Sequence, residues 1–206
     1  MAKSFDDGNG LKIVNSQAIF DKMLLGLTQL AKTEVLVGFP ESTTEQGRDS
    51  VRDKGITNAA LAYIHDNGMP EQNIPARPFM LPGVTSVQDA ITDRLVVTMK
   101  AVSHGKELSV VEKGLIGAGQ KAVDGIKAKI TEGIPPPLAP STIQGRARSR
   151  GTKGRRDAEE QYMHLQGQGI DEDFLQGALG IIPLINTGAM RDAVTFVIRE
   201  RSKRSK

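Results

Sequence analysis

Residues 74–80 read Ile-Pro-Ala-Arg-Pro-Phe-Met, so two prolines bracket an arginine and a phenylalanine follows directly. Each proline fixes its own φ, removes a backbone donor and pushes the residue before it toward extended geometry. This segment therefore cannot be a helix interior or a central strand. We predict a stiff strap, residues 74–79, in which Pro75 and Pro78 hold Arg77 and Phe79 in fixed directions.

The strap follows a predicted helix. Residues 58–68 form a short amphipathic pattern that ends in Asn-Gly, a frequent C-terminal signal. We expect Phe79 to fill the core behind this helix. Arg77 is a candidate partner for a carboxylate, and the sequence leaves open whether that carboxylate belongs to the same subunit or lies across a subunit boundary.

Hydrophobic periodicity supplies the remaining elements. Helical spacing of apolar residues predicts helices over 16–30, 84–102 and 109–130. Alternating β-rich residues predict strands over 33–39 and 194–198 that pair with each other. The fold class is therefore α+β, with several helices packed on a small antiparallel sheet.

We predict one domain over residues 1–206. Its composition indicates three irregular parts: a polar, mobile loop at 41–55, a long Pro/Gly-rich loop insertion at 134–182, and a basic tail at 199–206. The insertion is expected to be extended and looped out from the packed helices.

Composition narrows the possible functions. The chain has no cysteine, which excludes disulfides, thiolate nucleophiles and cysteine-bound metals. It has no run of about 18 apolar residues and no signal-like N-terminus, so we expect a soluble protein without a membrane partner.

Positive charge is concentrated in two segments. The net charge is +3, yet residues 146–156 carry six basic and no acidic residues, and residues 199–206 carry a net +4, which leaves −7 elsewhere. Three interpretations of the first segment stay open: docking on an acidic protein, non-specific contact with DNA, and solvation. The candidate contact residues are Arg146, Arg148, Arg150, Lys153, Arg155 and Arg156.

Motifs for catalysis are weak. Gly117 and Gly119 superficially fit a dinucleotide-binding fingerprint, but they lie within a helical pattern, so we interpret them as small residues that let helices approach closely. His65, beside Asp66, fits a capping or surface role better than a metal ligand. We therefore predict no enzyme activity, no cofactor and no metal site.

Three segments together resemble a known family. They are residues 58–79, described above, residues 136–143 (Pro-Pro-Leu-Ala-Pro-Ser-Thr-Ile) and residues 183–195 (Pro-Leu-Ile-Asn-Thr-Gly-Ala-Met-Arg-Asp-Ala-Val-Thr). Their order and content resemble the tail-completion, or neck, proteins of long-tailed bacteriophages, also known as virion morphogenesis proteins. The chain departs from compact members in its long stretch between Ile143 and Pro183, and in Asn186, where an aspartate is common.

The resemblance implies a non-enzymatic virion protein that assembles in the host cytoplasm as a ring at the head–tail junction, and we expect this ring to be a hexamer. Its implied partners are a head-side stopper or connector protein and a tail terminator or tail tube protein. In the third segment we expect Thr187 to N-cap a short helical turn, Gly188 to allow close packing, and Arg191 to be an interface candidate.

A second hypothesis comes from a different class. It is a basic nucleic-acid-binding accessory protein that acts through residues 146–156 and the C-terminal tail. It predicts DNA affinity that falls by orders of magnitude between low and moderate salt.

Overall fold

The structure, a computed structural model, describes residues 16–40, 56–149 and 153–201. The predicted loop at 41–55 and most of the basic tail lie outside these residues. The helices are α1 Ser16–Lys32, α2 Asn58–Asn67, α3 Met80–Thr85, α4 Gln88–Ser103, α5 Ser109–Glu132, α6 Pro140–Ala147, α7 Lys153–Leu165, α8 Glu172–Ala178 and α9 Ala189–Asp192, with a 3₁₀ turn at Pro70–Gln72. The strands are β1 Thr33–Gly38 and β2 Thr195–Glu200.

The α+β prediction is confirmed. The described chain is mostly helical, and β1 pairs with β2 in a two-stranded antiparallel sheet, as the sequence predicted. Within the described residues, no helix combines the length and apolarity needed to cross a membrane.

The predicted helix over 84–102 is wrong in its first turn. The chain instead forms α3, breaks, and restarts as α4. The side chain of Ser86 donates a hydrogen bond to the carbonyl of Gly83 at 2.8 Å. Such local side-chain bonds compete with continued helix, and the apolar periodicity does not register them.

The prediction of a looped-out, extended segment over 134–182 is also wrong in its local structure. Three helices, α6, α7 and α8, lie in this segment. They bury a small core of their own, made of Leu138, Ile143, Tyr162, Leu175 and Ile181. These apolar residues are far apart in sequence and converge only in the fold, so no window of the sequence shows their periodicity.

The chain divides into two compact units, and whether they form one domain stays a prediction. The first unit contains residues 16–36, 89–119 and 198–201 of the described chain. Its buried core is Val102, Val111 and Leu115, with Leu30, Val35, Leu95 and Ile198 packed around it. The second unit contains the remaining described residues.

The second unit has the larger core. Helices α2, α3 and α9 and the C-terminal part of α5 contribute to it. Its buried residues are Ala62, Phe79, Val123, Ile126, Ile130, Ile134, Leu184, Met190 and Val194.

Small residues set the closest helix contacts inside each unit. In the first unit, a Cβ on Gly117 of α5 would lie 2.6 Å from Arg94 Nε of α4, which confirms the close-packing interpretation of this glycine. In the second unit, a Cβ on Gly83 of α3 would lie 2.7 Å from the backbone Cα of Ile126 in α5. Only glycine permits this approach of α3 to α5.

Candidate functional site

The strap is extended and tied to α2. Residues 75–79 belong to no helix or strand, as predicted, and Pro75 and Pro78 are exposed. The backbone N–H of Arg77 donates to the carbonyl of His65 at 2.8 Å. Phe79 is fully buried in the main core, so its predicted role is confirmed, and its ring packs edge-on against Phe39 at a centroid distance of 6.5 Å.

Arg77 is buried, and its guanidinium is bound within its own chain. It is 4% exposed, and its guanidinium donates to two backbone carbonyls in its own chain. Nε and Nη2 reach the carbonyl of Pro136 at 3.1 and 2.6 Å, and Nη2 reaches that of Pro137 at 3.2 Å. The prediction of a carboxylate partner in the same subunit is therefore wrong. The proline-rich turn offers carbonyls that no helix uses, and burial lowers the pKa of Arg77.

Asp66 is the residue that the sequence analysis missed. Its Oδ1 accepts hydrogen bonds from the backbone N–H groups of Phe79 at 2.7 Å and Met80 at 3.0 Å. These are donors at the start of α3, which need a partner outside the helix. An acidic residue 13 positions before a helix start gives no local capping signal, so only the fold reveals this role.

His65 lies on the inner side of the strap. It is half-buried, its Nδ1 is buried without a hydrogen-bond partner, and its pKa is lowered by burial and by the nearby charges of Arg77 and Arg146. The expected capping or surface role is therefore wrong. No group of three or more metal-binding side chains occurs in the described part of the chain.

Two residues of the basic segment are structural. The guanidinium of Arg146 donates to the carbonyls of Ile182 at 3.3 Å and Pro183 at 2.8 Å, and burial lowers the pKa of Arg146 to about 10. Arg155 Nη1 lies 3.0 Å from both carboxylate oxygens of Glu159, which is 1% exposed. Burial outweighs this pairing and raises the pKa of Glu159. Both guanidinium groups bind within the second unit, and their role as interface candidates stays a prediction.

The other basic candidates differ. Arg148, Lys153 and Arg156 are exposed, so they stay interface candidates, whereas Arg150 lies outside the described residues. Arg191 is half-buried and pairs with the neighbouring Asp192 at 3.0 Å.

The third sequence segment caps its helix differently from the prediction. Gly188 is the N-cap of α9, with φ of 83° in the left-handed region, and Thr187 precedes it. The hydroxyl of Thr187 accepts a weak hydrogen bond from the N–H of Ala189 at 3.3 Å. Gly188 is therefore required for its backbone conformation, and the prediction that it serves close packing is wrong.

An exposed apolar stripe on α1 was also missed. Ile19, Met23, Gly26 and Leu30 face inward, and a Cβ on Gly26 would lie 2.6 Å from Val102 Cγ1. A second set with the same helical spacing points outward; we call it the α1 stripe, and it consists of Phe20 (51% exposed), Leu24 (54%) and Leu27 (37%). The spacing of 20, 24 and 27 was visible in the sequence, but periodicity alone does not say which of two apolar faces is buried.

Comparison with known proteins found no match to this chain among protein-family models, curated proteins or solved structures. The likeness of three segments to phage tail-completion proteins therefore stays a prediction from the sequence. Within the described residues, the second unit has the larger buried core and the first unit leaves the α1 stripe exposed.

Proposed function

We propose that this protein is a structural subunit of the head–tail junction of a long-tailed bacteriophage, where copies assemble into a six-membered ring that completes the tail or neck. Its neighbours would be the head-side stopper or connector and the tail terminator or tail tube. The role requires oligomeric packing and no catalysis.

The observation that supports assembly most directly is the α1 stripe. A neighbouring face of α1, about 100° around the helix, is already packed on the first unit's core, so the stripe is a second apolar face on one helix. Helix α4 of the same unit adds Val97 and Met99, at 59% and 50% exposure. Contiguous exposed apolar surface usually marks an interaction site, and a ring of identical subunits would cover it.

Electron microscopy of phage lysates tests the role. We expect deletion of the gene to leave filled heads apart from finished tails, and the wild-type protein to restore joined particles. Leu24→Gln should fail to restore joining, because it places an amide in the stripe. Lys22→Gln, an exposed polar position on the same helix, is the matched control and should restore it. Normal particles without the gene would refute the proposal.

The nucleic-acid alternative rests on fewer residues than the sequence indicated. Arg146 and Arg155 are held inside the chain, which leaves Arg148, Lys153 and Arg156 as described, exposed cations. Reversing these three charges should abolish salt-dependent DNA binding if this function operates. An unchanged binding curve would exclude the described part of the segment as the contact.

A further inference from the structure

A groove lies beside the strap in the second unit. It has a volume of about 660 Å³, and its lining includes His65, Ile74, Pro75, Arg77 and Leu138. The walls are therefore mainly apolar, with a guanidinium and an imidazole as the ionisable groups. No residue of the α1 stripe lines this groove.

The guanidinium in this groove lacks a counter-ion. Arg77 is 4% exposed, and its hydrogen bonds reach only the neutral carbonyls of Pro136 and Pro137 through Nε and Nη2. Among the described residues no carboxylate forms a salt bridge with it, and Nη1 has no hydrogen-bond partner. A buried charge is normally paired, because removing it from water is costly.

The imidazole of His65 is a second polar group of the groove that lacks a hydrogen-bond partner in the described chain. His65 Nδ1 is buried without a partner, and it lies close enough to Arg77 and Arg146 for both positive charges to lower its pKa. In the described chain the carboxylate of Asp66 binds the N–H groups at the start of α3, and no carboxylate forms a salt bridge with Arg77 or Arg146. The groove thus has the polarity of an anion site.

We infer that this groove binds a carboxylate side chain, supplied by the first turn of α8 in a neighbouring copy of the chain. The inference rests on the assembly of identical subunits proposed above. It adds a contact between two different surfaces, which is the kind of contact that generates a ring when the rotation closes.

The first turn of α8 matches the groove in charge and in apolarity. Glu172 and Asp173 are exposed, and the next residue, Phe174, is 70% exposed. The carboxylates complement Arg77, and the phenylalanine complements the apolar walls. Outside its two basic segments the chain carries a net charge of −7, so acidic residues outnumber basic ones there.

The carboxylate site is tested by titrating the full-length protein with glutarate at constant ionic strength, following the three histidine side chains by NMR. His65→Gln assigns the groove signal, and His104 and His164 are internal controls because neither lines the groove. We expect glutarate to cause a saturable shift of the His65 signal and a rise in the pKa of His65. Chloride at the same ionic strength should cause neither. An unmoved His65 signal, or equal shifts of all three histidines, would overturn the site.

The source of the carboxylate is tested by the same signal as protein concentration rises, together with sedimentation velocity. We expect a concentration-dependent His65 shift that the Glu172→Gln/Asp173→Asn variant loses, with self-association weakened at least about tenfold, as the loss of one charged contact allows. The control, Asp157→Asn/Glu160→Gln, removes two exposed charges from α7 and should behave as wild type.

Two outcomes would distinguish the carboxylate site itself from the neighbouring copy as the source of the carboxylate. If glutarate shifts His65 but protein concentration does not, the groove is a carboxylate site and the neighbouring copy is excluded as its source. If both variants associate equally, α8 is excluded as the contributing segment. Neither result bears on the proposed head–tail role, because the lysate experiment tests that role independently.

Discussion

The two compact units of this chain differ in how much apolar core they bury. The second unit fully buries Phe79 and Tyr162 and also holds guanidinium groups against backbone carbonyls, while it leaves Phe174 70% exposed. The first unit buries three core residues and leaves Phe20, Leu24 and Leu27 exposed on one helix. Each unit buries a core of its own, and the apolar side chains that each unit leaves exposed depend on a partner for any further burial.

The largest effect should come from Phe79→Ala compared with Phe20→Ala. The first change leaves a cavity in the main core and should lower the free energy of unfolding by about 3–5 kcal/mol. The second should change it by less than about 0.5 kcal/mol in dilute protein, because Phe20 is half exposed. Urea denaturation of both variants measures this. Equal losses would show that the α1 stripe is packed within the monomer, and the contrast between the units would fail.

Two glycine variants test how closely helices pack in the second unit. Gly83→Ala forces a Cβ against the backbone of α5 and should lower the free energy of unfolding by about 1–3 kcal/mol. Gly145→Ala, in α6, meets no atom within 4 Å and should be neutral or stabilise by up to about 1 kcal/mol. Thermal unfolding of the two variants is the measurement. A neutral Gly83→Ala would mean that α3 moves freely away from α5.

The cap at Asp66 should contribute more than an ordinary one. Asp66→Ala removes the partner of two part-buried N–H groups and should cost about 2 kcal/mol. Asp171→Ala removes the cap of α8, which is a single bond to the N–H of Phe174, and should cost about 1 kcal/mol. Chemical denaturation compares them. A smaller loss for Asp66 would indicate that the strap is held without its carboxylate.

The smallest effect is a pH dependence from His65. Its pKa in the folded chain lies below the ordinary value of 6.5, so the unfolded chain takes up a proton first as the pH falls. The stability contributed by neutral His65 is present above pH 6.5 and is lost as the pH falls through the folded-state pKa. His65→Gln should flatten the stability curve in that window, measured by urea denaturation at several pH values. An unchanged slope would assign the dependence to other groups.

Local sequence predicted most of the regular structure of this protein. The ends of α2, the extended strap and the pairing of the two strands each follow from residues that neighbour each other in the chain. The helices between 134 and 182 were missed because their apolar residues are sparse, and a core assembled from distant residues leaves no periodic signal.

The candidate site was less predictable than the fold. A cluster of arginines between 146 and 156 looks uniformly solvated in the sequence, yet Arg146 and Arg155 are engaged inside the second unit. Charge composition reports how many cations a segment has, while their partners depend on which carbonyls and carboxylates the fold brings near. The prediction that Phe79 fills the core was confirmed, because a large apolar side chain after a rigid proline segment has few alternatives to burial.

The sequence by itself determined where the strap is stiff, where α2 begins and ends, and that Phe79 must avoid water. Tertiary structure alone decided that Arg77 lies against proline carbonyls, that Asp66 caps a helix 13 residues away, and that one apolar face of α1 stays uncovered. The physical reason is the range of the interactions: dihedral limits and periodicity act between neighbours in the chain, whereas burial and hydrogen-bond partners depend on residues that only folding brings together.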